Sequence, residues 1–298
     1  MTVADRVGRA IGYWGYLLRR ISSREIFASE VTALRGNIWS NGGISLNAKF
    51  LPGLTFSLIS LGLFPACADS SAAVGLQTVA FSHRAYAVYT VDPTKEEIRL
   101  YWKDGSGRLL HDFTSLEAQV KGGGNQLLFA ANAGMFQPDF SPVGLLVIDG
   151  QQISPLNLQD GFGNFFLKPN GVFAVTEKGE ATIMDSTAYP AFLPHVLWAT
   201  QSGPLIVHHG EIHPDLIPDS KNLRIRSGVG IRKDGTVVFA ISKANENFYD
   251  FAYFFFNRMQ CLDVLYLDGD ISAFHFPGEA EKPREHIFGP MIGVVAKP

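Results

Sequence analysis

Five short stretches place a polar side chain beside a small residue where an apolar strand begins or ends. Leu127–Ala131 runs into Asn132-Ala133-Gly134-Met135-Phe136, and Lys168-Pro169-Asn170-Gly171 precedes a strand beginning at Val172. Thr200-Gln201-Ser202-Gly203-Pro204 precedes Leu205–Val207, Arg226-Ser227-Gly228 precedes Val229–Ile231, and Val264–Leu267 ends on Asp268-Gly269. Glycine at such a place lets a backbone or a ligand approach closely. Taken one at a time, Asn with Gly equally makes a turn. Arg226 and Asp268 are harder to read that way, because an unpaired charge abutting an apolar strand is costly.

Other chemistries are absent or weak. No Gly-x-x-x-x-Gly-Lys-Ser/Thr occurs, and Gly228-Val229-Gly230 lacks the third glycine of a dinucleotide fingerprint. His208, His209 and His213 straddle a His209-Gly210 turn instead of sharing a helical face, so they read as polar hairpin positions, and no metal ligand is assigned. Two cysteines make neither a disulfide framework nor a cysteine zinc site.

The elements that must position these residues are mostly strands. Ile98, Leu100 and Trp102 alternate with Arg99, Tyr101 and Lys103, the period of a half-buried strand. Asp149-Gly150, Lys178-Gly179, His209-Gly210 and Asp234-Gly235 each sit between two strand-like runs and predict tight hairpins. Thr114 and Glu117 form a capping box for a short helix that Gly122 would stop. Asn247 to Met259 predicts a second helix, with Phe248, Phe251, Phe255 and Met259 on one stripe and Ala252 and Phe256 beside it. The expected class is α+β: hairpin-rich, largely antiparallel or mixed β-sheets with a few packed helices.

The 298 residues are 46% apolar and 18% charged, which excludes a disordered chain, a coiled coil and a collagen-like fibre. Residues 1–49 hold seven Arg/Lys against three Asp/Glu, or +4, so a net charge of −3 leaves −7 on residues 50–298. A body this acidic is a poor nucleic-acid binder. Phe50–Ala68 is an uncharged run bounded by Lys49 and Asp69. Pro52, Gly53, Gly62 and Pro65 make it a poor membrane helix, and Ala66-Cys67-Ala68 is a small-residue cleavage site. The reading is a cleaved secretory signal; a lipidated Cys67 or an uncleaved membrane anchor over 50–68 are the alternatives. The chain thus divides into a basic extension over 1–49 (a tail or a misassigned start), a signal or anchor with a short linker over 50–74, and one domain over 75–298. The expected location is exported, periplasmic or cell-envelope associated.

In order, NAGMF (132–136), KPNGVF (168–173), TQSGPL (200–205), RSGVG (226–230) and LYLDGDIS (265–272) resemble the phosphodiester glycosidase family. RLYWKD (99–104) looks like the start of the domain in a bacterial exported branch, so the resemblance covers about 78–297. It implies hydrolysis of the sugar–oxygen bond of a sugar 1-phosphodiester. On that resemblance the catalytic residues are Asp268 as nucleophile, base or stabiliser of an oxocarbenium-like state, Arg226 holding phosphate oxygens in pairs, and Asn132. Gly134, Lys168, Asn170, Gln201, Ser202, Gly203, Gly269 and Asp270 are the implied substrate-binding positions. Asp270 departs from the family's second glycine, and an added carboxylate there would repel an anion. The implied partner is a carbohydrate phosphodiester and no cofactor is implied, a structural metal being left open. A non-catalytic glycan or cell-wall-fragment binder would use the same pocket. An ordinary glycoside hydrolase would need a second carboxylate, for which Asp270 and Asp139 are the candidates.

Overall fold

The computed structural model describes residues 75–92, 94–269, 271–278 and 287–297. The extension, the signal or anchor run with Cys67, and Asp270 lie outside the described residues. Sixteen described strands form three sheets, and every pairing between them is antiparallel. The largest runs β1 (Gly75–Phe81), β2 (Arg84–Thr90), β13 (Val237–Ser242), β12 (Ser227–Arg232), β14 (Cys261–Asp268), β10 (Leu205–His208) and β11 (Glu211–Ile212) from edge to edge. A second sheet orders β15 (Phe274–His275), β4 (Leu127–Asn132), β16 (Met291–Ala296) and β3 (Glu96–Tyr101). The third orders β6 (Gln151–Ser154), β5 (Leu146–Ile148), β9 (Val196–Ser202), β7 (Gly171–Thr176) and β8 (Ala181–Asp185). This is the hairpin-rich α+β class that the strand periods predict.

All four X-Gly pairs turn hairpins. Asp149-Gly150 and His209-Gly210 have positive φ at both residues (50° and 73°; 52° and 79°), the backbone a tight two-residue turn demands. One core packs all three sheets through Phe129, Phe173, Phe239, Leu265 and Ile292. A second lies between the outer face of the largest sheet and the helix α2 (Phe248–Tyr253).

Both helices differ from expectation in detail. α1 (Phe113–Gly122) is capped by Asp112, whose carboxylate accepts the Ser115 N–H at 2.7 Å, so the Thr114–Glu117 capping box does not form. Its apolar face, Phe113, Leu116 and Val120, covers a third core. α2 opens as expected, with the Asn247 carbonyl oxygen of the side chain accepting the Asp250 N–H at 2.8 Å. From Phe254 to Arg258 it widens into a π-helical turn. That turn buries Phe254, which lies off the predicted stripe, flat on Tyr86 with ring centroids 3.6 Å apart.

Register brings the polar motifs to one end of the sheets. Gly171 pairs with Ser202, Ser227 with Asp268, Ala131 with Phe274, and Asn132 with Met291. Two hydrogen bonds stitch the sheets there: the Thr200 hydroxyl to the Ala133 carbonyl at 2.7 Å, and the Ser202 hydroxyl to the Leu267 carbonyl at 3.2 Å.

Candidate active site

β14 carries Asp268 to that end, where its carboxylate lines a cavity of about 350 Å³. Phe136, Phe162, Phe165 and Phe166 supply aromatic wall, and Gln137 a polar edge. Asp268 is the one charged group among the described lining residues. Its Oδ1 accepts the N–H of Gly269 at 2.5 Å, and its backbone carbonyl accepts the Ser272 hydroxyl at 2.7 Å. The Ser272 hydroxyl also lies 3.0 Å from that of Ser227, so two strands and the loop after β14 fix the carboxylate's backbone. A larger hollow of about 750 Å³ lies at the opposite end, lined by the tips of the β7–β8 and β12–β13 hairpins. None of the five motifs reaches it, so size does not choose the site.

The structure places Arg226, expected from the resemblance to hold phosphate oxygens, in the interior as a strut. Its side chain is 1% exposed and donates from Nε to the Glu246 carbonyl at 2.9 Å, from Nη2 to the Asn222 carbonyl at 2.7 Å, and from Nη1 to the Tyr266 hydroxyl at 3.3 Å. The guanidinium lies over the Phe248 ring, 3.6 Å from its centroid. A β-carbon on Gly269 would fall on the Tyr266 hydroxyl, so Gly269 makes room for that strut. Beside it sits Glu246, fully buried, with Oε2 accepting the Tyr86 hydroxyl at 2.8 Å. Burial pushes the Glu246 carboxyl up to about 7, against the opposing pull of the Tyr86 hydrogen bond, Arg84 and Arg226.

Gln201 is likewise internal. Its Oε1 accepts the N–H groups of Leu145 and Asn157 at 3.0 and 2.9 Å, and its Nε2 donates to the Asn157 carbonyl and the Ser186 hydroxyl at 2.7 and 3.0 Å. All four hydrogen-bonding sites of a primary amide are thereby spent on protein, which leaves none for a substrate. The Asn170 amide donates to the Phe165 carbonyl at 2.9 Å. Gly203 packs so tightly that a β-carbon would stand 2.7 Å from that carbonyl and from the Asn170 Cβ. Gly134 (φ +127°) sits against Ser202, where a β-carbon would be 3.1 Å from its Cβ. These four residues and Ser202 form a packed layer behind the aromatic wall. Lys168 lies outside it, its Nζ donating to the Leu158 carbonyl at 3.1 Å.

Asn132 is fully buried behind the loop after β14. Its Oδ1 accepts the Ala273 N–H at 3.4 Å, while its Nδ2 has no hydrogen-bond partner among the described residues. Asp139 is an exposed turn residue whose Oδ1 accepts the Ser141 hydroxyl at 2.6 Å, and that bond holds its carboxyl below the usual range. The site-forming residues that sequence reasoning missed are Phe162–Phe166 and Ser272. Gly161-Phe162-Gly163-Asn164-Phe165-Phe166 does carry a signal, an aromatic cluster punctuated by glycines.

The sequence and the fold both have known relatives. Residues 125–276 match the family model of the phosphodiester glycosidases. The chain is 35% identical over 256 residues to the uncharacterized protein YigE of Escherichia coli (strain K12), spanning 86% of this chain and 96% of that one. It belongs to the phosphodiester glycosidase family. The fold is also that of the zebrafish N-acetylglucosamine-1-phosphodiester alpha-N-acetylglucosaminidase catalytic domain, solved auto-inhibited by its pro-peptide. That match has TM-score 0.50 and 12% identity, covering 74% of this chain and 81% of that one.

Proposed function

We propose that this chain hydrolyses the glycosidic bond of a sugar 1-phosphodiester, with Asp268 as its catalytic carboxylate. The observation that carries the reading is the position of Asp268: the one carboxylate among the described residues lining an aromatic-walled cavity at the motif-bearing end of the sheets. The cavity is at the small end of the range for ligand sites, a fit for one sugar unit. The C–H faces of a pyranose pack on the Phe rings, and the anomeric carbon lies toward Asp268. As the bond to phosphate breaks, positive charge develops on the ring, and the carboxylate stabilises or traps it.

Ordinary glycoside hydrolysis uses two carboxylates, and the described lining residues include one. A phosphate ester is already a fair leaving group, so a strong general acid is dispensable. The described lining residues include no cation, so the phosphate sits toward the mouth of the cavity, in contact with solvent. We further propose that 75–298 is the catalytic domain and that the run over 50–68 directs export to the cell envelope.

Asp268→Asn tests the assignment. Asparagine retains an oxygen for the Gly269 N–H, so the fold should persist while the charge is lost. Assayed on methyl sugar-1-phosphodiesters beside p-nitrophenyl glycosides, kcat/KM for the phosphodiesters should fall by at least about 100-fold, or about 2.7 kcal/mol at 1.36 per decade. A variant that unfolds early yet keeps its turnover would end the catalytic role. Wild-type binding of sugar phosphodiesters without turnover would favour the non-catalytic alternative.

A further inference from the structure

The edge of the largest sheet carries a cluster that the glycosidase reading does not use. His208 ends β10, His209 opens the turn to β11, and Asp263 lies on the neighbouring β14. Val207 pairs with Val264, so the turn and Asp263 are set by the same ladder. The His208 Nδ1 is 2.9 Å from the Asp263 Oδ1, and the His209 Nδ1 is 3.7 Å from that oxygen. The two imidazoles stack with centroids 3.8 Å apart, and one donor atom from each of the three residues lies within 4.8 Å of the others. His213, grouped with the other two in sequence, is elsewhere: its Nε2 is 2.9 Å from the Lys168 carbonyl.

We propose that His208, His209 and Asp263 form a site for a first-row divalent metal ion, with Zn²⁺ the best-matched probe. Bonds of about 2.0–2.1 Å at tetrahedral angles put donor atoms about 3.3–3.4 Å apart. The two nitrogen-to-oxygen distances bracket that value, and ion binding requires the stacked rings to turn so that their in-plane Nδ1 lone pairs converge on it. Two imidazoles and a carboxylate suit zinc and its neighbours over magnesium or calcium. The His209 N–H already donates to the Asp263 Oδ1 at 2.9 Å, which fixes the carboxylate in the direction of the rings. Each carboxylate oxygen offers two lone pairs, so Oδ1 can keep that bond and still ligate. Three protein ligands leave a fourth position for water or a group from another molecule. Asp263 lies five residues along β14 from Asp268, roughly 16 Å at the rise of a strand, so this ion would not touch the reacting sugar. Its effect would be to clip the β10–β11 hairpin to β14.

Isothermal titration of the untagged full chain with Zn²⁺ tests this. One equivalent should bind with a dissociation constant of about 10 µM or tighter, and the unfolding midpoint should rise with added zinc. His208→Ala and Asp263→Asn should each weaken binding at least tenfold, while His213→Ala should leave it unchanged. Each variant's midpoint without zinc shows that it has folded. Absence of saturable binding below about 100 µM would overturn the proposal and leave the cluster as an ordinary histidine–carboxylate hydrogen bond. Binding that survives either of the first two substitutions would overturn it as well.

Discussion

Arg226→Lys separates a strut from a clamp. In the structure the guanidinium makes three hydrogen bonds to protein, from Nε, Nη1 and Nη2, with its flat face on Phe248. Lysine has one nitrogen on a flexible stem, so it can replace one of those bonds and not the fork. Two charge-assisted bonds at about 1.5 kcal/mol each are lost, or about 3 kcal/mol, before any loss of stacking on the ring. For a domain of this size, each kcal/mol moves the unfolding midpoint by about 2–4 °C, so the midpoint should fall by about 6–12 °C. The assay is thermal unfolding of wild type, Arg226→Lys and Asp268→Asn side by side, with turnover measured well below the lowest midpoint. A strut predicts a large loss of stability for Arg226→Lys and little for Asp268→Asn. A phosphate clamp predicts the reverse for Arg226: a wild-type midpoint with kcat/KM reduced. A wild-type midpoint for Arg226→Lys would refute the structural reasoning.

Glu246 gives a pH signature. Its carboxyl is raised in the folded protein to about 7, so between about 4.5 and 7 the folded state holds more protons than the unfolded one. Its contribution to stability is therefore fully present at low pH and is lost as pH rises through about 7. Urea midpoints of wild type should fall across that window, and Glu246→Gln should flatten the fall; parallel profiles would sink the assignment. Phe162 is fully exposed at the cavity wall. Phe162→Ala should raise KM several-fold with the unfolding midpoint unchanged, and an unaltered KM would remove this residue from the site. Gln201→Ala removes a buried amide with four protein bonds, so it should cost at least about 3 kcal/mol in urea unfolding; a neutral result would contradict its internal role. A chain of residues 75–298 should unfold cooperatively, and mass spectrometry of the protein from its native host should find an N-terminus near Asp69 or a lipid on Cys67. Aggregation of the shortened chain, or a mature protein retaining Met1, would count against the domain division and the export reading respectively.

The strands were legible because their constraints are local. Residues that alternate along Ile98–Lys103 mark a half-buried surface, and a glycine after Asp149 or His209 marks a backbone that must take positive φ. The start of α1 was misplaced by two residues, because Asp112 and Thr114 are both competent caps and only the path of the preceding chain selects between them. The π-helical turn after α2 left no local mark. It exists where Phe254 must reach Tyr86 while Phe255 stays buried against the same sheet, a packing demand set by a strand more than 150 residues earlier.

The site divides along the same line. That the five motifs belong together could be read from their order, but the partner of each polar atom could not. Gln201 spends its amide on residues 56, 44 and 15 positions away, and Arg226 meets Glu246 and Tyr266 at separations of 20 and 40. A polar residue beside glycine at a strand end looks the same in sequence whether it faces a ligand or completes the packing beneath one. Here glycine mostly signals the second case: β-carbons at 203 and 269 would strike protein atoms, Phe165 and Tyr266, rather than open space. The chemistry of these motifs is thus carried in layers. Arg226, Gln201 and Asn170 spend their polar groups on other protein residues, while Asp268 stands at the cavity wall, backed by apolar rings and held by the Gly269 N–H and by Ser272. Asp268 thus lines the cavity at the end of the sheets where the five motifs meet, and the other polar groups of those motifs hold the layer behind it.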